Sequence, residues 1–147
     1  MPNIEQLADV TPKDFELHKD LITNPAVQKR IKHVVYECDR VKKSAEALKN
    51  NEIAKFGEYM NESHDSLQYE YEVSCPELDF VVQEGRKIDG VIGIRMTGAG
   101  FGGCTVAIIK EDYINDYIDS VGTAFRNKFE HDASFYVTEI GNGGREI

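Results

Sequence analysis

The sequence predicts an α+β domain, helices first and strands after, and three observations carry that reading. Through the first half, apolar residues recur at three- and four-residue steps, most clearly Val27, Ile31, Val34, Val35, Cys38, Val41, Ala45 and Leu48, which is the helical period. Beyond Gly85 the period shortens. Residues 91–96, 105–109 and 134–140 are short apolar, β-branched runs that read as strands. Between the last two runs, Tyr113, Ile114, Tyr117, Ile118, Val121, Phe125 and Phe129 restore the helical spacing.

The elements follow in order. Thr11-Pro12-Lys13-Asp14 has a capping hydroxyl, proline at the first helical position and an acid in the first turn, so a helix starts there. Asn24-Pro25 repeats the signal and opens a helix of about seven turns with one buried stripe. A further helix follows Asn51, with Ile53, Phe56, Met60, Leu67 and Tyr71 on one face. Ser74-Cys75-Pro76-Glu77 fits the S-x-x-E capping box and predicts a short helix ending near Gly85. Gly141-Asn142-Gly143-Gly144 reads as a loose tail.

Composition bounds the function. At 147 residues the chain is one ordinary domain, able to bury about two-thirds of its unfolded surface. With 41% hydrophobic and 29% charged residues it reads as soluble and globular. The net charge of −9, with lysines and arginines scattered among acids, argues against nucleic acid and anionic membranes as partners. No apolar run approaches the roughly 20 residues that span a bilayer, and Met1-Pro2-Asn3-Ile4-Glu5 does not read as a signal peptide. Cys38, Cys75 and Cys104 lack metal-like spacing, so they are expected to be buried, reduced thiols in a cytoplasmic protein. Cys75, in the first turn of its helix, is placed where the dipole lowers a thiol pKa.

One stretch stands apart. Gly98, Ala99, Gly100, Phe101, Gly102 and Gly103 join two strands, where glycine costs entropy and supplies no packing. Gly98, Gly100 and Gly103 spell G-x-G-x-x-G, yet the dinucleotide fingerprint must open a helix, and a strand follows here. Gly98 and Gly103 also have P-loop spacing, with Cys104 where the lysine belongs. Both standard matches fail. What survives is a loop whose backbone can be approached closely and whose N–H groups can face an anion; the other reading is a plain glycine hairpin or bulge.

Other candidates are weaker. His64, Asp65 and Ser66 are the residue types of a hydrolase triad, but consecutive helical residues point about 100° apart and cannot converge; Ser63 and His64 read as packed and hydrogen-bonded. Glu77 is accounted for by the capping box, and Asp79 as solvated or locally paired. His18, His33 and His131 lack ligand-like spacing. Arg95, just before the glycine loop, serves either a phosphate or the strand surface. No metal site and no catalytic residue is assigned.

Three ordered blocks resemble a known family. RMTGAGFGGCTVAII at residues 95–109, MNESHDSLQYEYEVSCPELD at residues 60–79, and His33-Val34-Val35-Tyr36-Glu37 with Arg40-Val41 are similar to motifs of the galactokinases, within the GHMP small-molecule kinases. The similarity runs over nearly the whole chain. Cys38 stands at the family's usual asparagine, Gln68 at a common arginine, and Asn142 at a frequent aspartate of the tail.

The resemblance covers only the C-terminal part of such an enzyme. It implies that residues 1–147 form the C-terminal domain of a galactokinase, ferredoxin-like, with an antiparallel sheet covered by helices. The motifs holding the sugar, the nucleotide phosphates and the catalytic aspartate lie in an N-terminal domain, the implied partner within the same kinase. The substrates implied are galactose and ATP, with Mg2+ bound mainly by that other domain, and the chain alone is expected to be inactive. Residues 98–103 would then line the cleft and face the phosphates, with Thr97 bonding inside the loop and Phe101 anchoring it by packing. Cys75 and Cys104 are expected to pack without catalytic duty. The alternative is a self-standing ligand-binding or regulatory module without catalysis. A mevalonate-pathway kinase is a third option, opposed by the S-C-P-E-L-D block.

Overall fold

Thr11 and Asn24 cap helices as their residue types dictate. The computed structural model describes residues 4–139 and 141. In it Thr11 Oγ1 accepts the Asp14 amide at 3.1 Å, and the Asp14 carboxylate accepts the Thr11 amide, a reciprocal capping box for α1 (Pro12–His18). Asn24 Oδ1 accepts the Ala26 and Val27 amides at 3.0 and 3.3 Å and opens α2, the 25-residue helix Pro25–Lys49. Helix α3 (Ile53–Ser66) continues into one turn of π-helix, Leu67–Tyr71. Then come α4 (Pro76–Gly85), β1 (Val91–Thr97), β2 (Cys104–Ile109) and α5 (Ile114–Phe129).

The fold is α+β as read from the sequence, with a smaller sheet. Strands β1 and β2 pair antiparallel, Ile94 opposite Ala107 and Thr97 opposite Cys104. Val82 of α4, Ile94 of β1, and Tyr117 and Val121 of α5 form the buried centre, with Ile88, Ile118 and Phe135 packed around it. Alternation of strand residues and helical spacing deliver these side chains to one layer.

The expected strand at residues 134–140 is not formed over its described part: residues 134–139 belong to no helix and pair with no strand, and Ile140 lies outside the described residues. The segment docks through a side chain. Phe135 meets Tyr117 edge-on with ring centroids 6.0 Å apart and lies over Gly122 of α5, while Tyr136 and Val137 are exposed. The glycine-rich tail likewise falls, apart from Gly141, outside the described residues.

Three further expectations are corrected. The seven-turn stripe of α2 is not uniformly buried, since Val27, Val41 and Leu48 are exposed; the helix buries Val35 of that stripe together with His33 and Ala47, and α1, α3 and the π-turn pack against it. The S-x-x-E box does not form at α4. Cys75 is the N-cap residue and no side chain caps the helix; Ser74 Oγ donates to the Asp79 carboxylate instead. The cysteines are not buried either, Cys38 and Cys75 being half-buried and Cys104 exposed. Among the described residues no helix is long and apolar enough to cross a membrane.

Candidate functional site: the glycine loop and its seat

Helix α3 approaches the backbone of β1 more closely than side chains allow. A Cβ on Gly57 would lie 2.0 Å from the Ile92 carbonyl oxygen, and one on Gly93 would lie 2.5 Å from the Gly57 Cα. That closeness lets α3 stand in for a neighbouring strand. Asn61 Oδ1 accepts the Ile94 amide at 3.0 Å and His64 Nδ1 accepts the Met96 amide at 3.2 Å. Two side chains one helical turn apart thus satisfy alternate amides on the edge of β1. The loop that leaves β1 is thereby tied to a helix as well as to β2.

His64 is almost fully buried. Since its Nδ1 accepts, its Nε2 carries the proton and faces the Asp79 carboxylate at 3.4 Å. Burial is the largest influence and lowers its pKa; Asp79 opposes it without prevailing. Asp79 also accepts from Gln68 Nε2 at 2.7 Å and from Ser74, so it is neither solvated nor a free base. His33 is likewise lowered mainly by burial; it bonds Ser66 Oγ at 2.9 Å and stacks on Tyr71. Ser63 donates to Glu37 at 2.6 Å.

The triad types therefore diverge as the helical geometry requires. His64 turns to β1 and Asp79, Asp65 pairs with Arg86 at 2.8 Å, and Ser66 meets His33. Arg95 is also engaged, its Nε donating to the Met96 carbonyl at 3.0 Å and its guanidinium 3.5 Å from Glu37. Among the described residues no group of three or more His, Cys, Asp or Glu could hold a metal ion.

The loop of residues 98–103 leaves this platform with a left-handed backbone. Gly98, Gly100, Gly102 and Gly103 have φ of 86°, 83°, 138° and 97°, and Phe101 has 59°. Such angles are cheap only for glycine, which is why the sequence is bare there. The four glycines are not equivalent. A Cβ on Gly100 would lie 2.0 Å from the Val73 carbonyl oxygen, whereas Cβ atoms on Gly98, Gly102 and Gly103 would meet nothing within 4 Å. The Phe101 amide donates to that Val73 carbonyl at 2.7 Å. Gly100 and the Phe101 amide seat the loop, and the other three glycines face open space.

Phe101 itself departs from expectation. The residue is 74% exposed, so the loop is anchored by its amide and not by packing of its side chain. Two surface cavities, of about 340 and 200 Å³, lie beside α2 and the π-turn and include no loop residue. The loop is an open rim. Among the described residues it presents backbone to open space at Gly98, Gly102 and Gly103.

Cys75 also differs from its reading. Desolvation is the largest influence and raises its thiol pKa, outweighing the hydrogen bond from the Leu78 amide at the helix start. The signal for the Val73 seat was in the sequence only as adjacency, Val73 standing beside the Ser74-Cys75-Pro76 start of α4. Nothing in spacing says that its carbonyl would fill the space above Gly100.

Residues 44–127 match the family model described as GHMP kinases C terminal, and the chain belongs to this kinase family. Over 145 residues it is 48% identical to a galactokinase of Bacillus subtilis (strain 168) and 46% identical to a galactokinase of Clostridium acetobutylicum. Each alignment covers 99% of this chain and 37% of the relative. A galactokinase of Lactococcus lactis, solved in complex with galactose, superposes with a TM-score of 0.91 at 40% identity, covering 96% of this chain and 36% of that one. The chain thus spans little more than a third of the length of the curated relatives it matches.

Proposed function

We propose that residues 1–147 are the C-terminal domain of a galactokinase, which transfers the γ-phosphoryl group of ATP to the anomeric hydroxyl of galactose. The observation that carries this is the glycine loop, a left-handed backbone rim seated on Val73 and open at Gly98, Gly102 and Gly103, in a chain whose relatives bear that name. Phosphoryl transfer requires positioning and charge stabilisation more than covalent chemistry. Backbone amides supply both in fixed orientation. In this reading residues 98–103 close the phosphate side of a cleft whose other wall, with the sugar-binding groups and the catalytic base, belongs to an N-terminal domain of the same kinase.

Mg2+, where the nucleotide brings it, supplies charge neutralisation between phosphates. We place its ligands on that other domain, since the chain's own contribution at the loop is backbone. A cytoplasmic location accords with this substrate pair and with three unpaired cysteines.

The test is a chimera. The matching 37% of the Bacillus subtilis galactokinase is replaced by this chain, and galactose-dependent ADP release is measured beside the chain alone. The expected result is turnover by the chimera and none by the chain. A folded but inactive chimera would favour a non-catalytic module, and ADP release by the chain alone would place catalytic groups where none is assigned.

A further inference from the structure

The seat of the glycine loop has a fastening of its own. The π-turn Leu67–Tyr71 ends at Glu72, whose φ of 59° and ψ of 47° put a non-glycine residue in the left-handed region. A wide turn of this kind leaves carbonyls without their usual amide donors. Two cations of α2 supply the lack. Lys29 Nζ donates to the Tyr69 carbonyl at 3.3 Å, and an Arg30 Nη donates to the Glu70 carbonyl. The same two side chains hold the Glu72 carboxylate, Arg30 Nη2 at 2.6 Å and Lys29 Nζ at 3.1 Å. The next residue is Val73, whose amide donates back to the Leu67 carbonyl at 3.1 Å and whose carbonyl receives the Phe101 amide.

We propose that Arg30 and Glu72 are positioning residues for the glycine loop, clamping the π-turn so that the Val73 carbonyl stands under Gly100 and Phe101. The fold does not need this clamp for bulk stability. Glu72 and Arg30 side chains are 48% and 35% exposed, and exposed ion pairs add little to global stability. Their geometry is nonetheless specific, because the guanidinium fork grips a carbonyl and a carboxylate together. A conformation rare for glutamate is held where it aims the following carbonyl. The clamp stands on this geometry alone; its consequence for turnover rests on the function proposed above.

The experiment is amide hydrogen exchange on the 147-residue chain, wild type against Glu72→Gln and Arg30→Gln. Glu58→Gln, which breaks the exposed Lys55–Glu58 pair on α3, serves as the control. The Phe101 amide should exchange at least about tenfold faster in both clamp variants, while the Ile94 and Met96 amides of β1 keep their wild-type rates, and the control should change none. Unchanged Phe101 exchange overturns the proposal. So does acceleration of all three amides together, or loss of the native fold, since either makes the pair a general structural contact. In the chimera, Glu72→Gln should lower kcat with the KM for galactose within twofold. Selective loosening of Phe101 with kcat unchanged would leave the clamp standing and tell against the loop's assignment to phosphoryl transfer.

Discussion

Gly57 shows how a single missing methyl sets an interface. A Cβ there would overlap the Ile92 carbonyl at 2.0 Å, and backbone on both sides leaves nothing that can rotate away. Gly57→Ala should therefore push α3 off β1 and lengthen the Asn61 and His64 bonds to the strand. Alanine is the better helix former by about 1 kcal/mol, so a stabilised variant is what propensity alone predicts. Contact predicts a loss of about 2 kcal/mol or more, and a urea titration decides the sign. The thiols make a second test at this scale. Cys104 is exposed, whereas Cys75 is half-buried with a raised pKa. N-ethylmaleimide at neutral pH should modify Cys104 well before Cys75, read by peptide mass; the reverse order would contradict both placements.

At the scale of elements, α3 acts as a surrogate strand, and its histidine makes that role depend on pH. His64 and His33 are both lowered from the usual histidine value, chiefly by burial. The unfolded chain therefore takes up protons first as pH falls through about 6.5, and stability that is complete above that value declines below it. Protonation of His64 would also put a donor where Nδ1 accepts the Met96 amide. The urea midpoint should fall between pH 7 and pH 5.5, above the range in which most carboxylates titrate. A midpoint that is flat or rising over that interval would mean that neither histidine is held neutral.

Most elements were legible for local reasons. Thr11 and Asn24 announce their helices through side chains that cap their own backbone, and the glycine loop is marked by composition. What was not legible is tertiary. The α2 stripe is set by its sequence, but whether Val27, Val41 and Leu48 are covered depends on which elements lie beside them. Residues 134–139 have strand-forming types, yet a strand also needs a neighbour, and Phe135 takes the segment to α5. Ser74 had two partners within reach, the α4 amides and Asp79, and the second won. The role of Gly100 could be read as freedom but not as contact, because Val73 is 27 residues away in the chain.

For the whole molecule, the central claim is that the loop of residues 98–103 is a working backbone surface and not a connector. The elements beside it hold it in place, with β1 bonded to α3 on one side and to β2 on the other, and the Val73 carbonyl beneath Gly100. Gly100→Val separates the alternatives. Valine at φ 83° is strained by about 1–3 kcal/mol, and its Cβ would displace the Val73 carbonyl, so the loop must lift from its seat. The damage is confined to the end of a hairpin, which a stable domain survives. In the function proposed above, by contrast, moving preorganised amides would act on the transition state and cost about a hundredfold or more in rate. The measurement is the melting temperature and kcat of the purified chimera with and without Gly100→Val. We expect a shift of a few degrees and a loss of turnover of about a hundredfold; a folded variant that turns over within a few-fold of its parent would contradict the account.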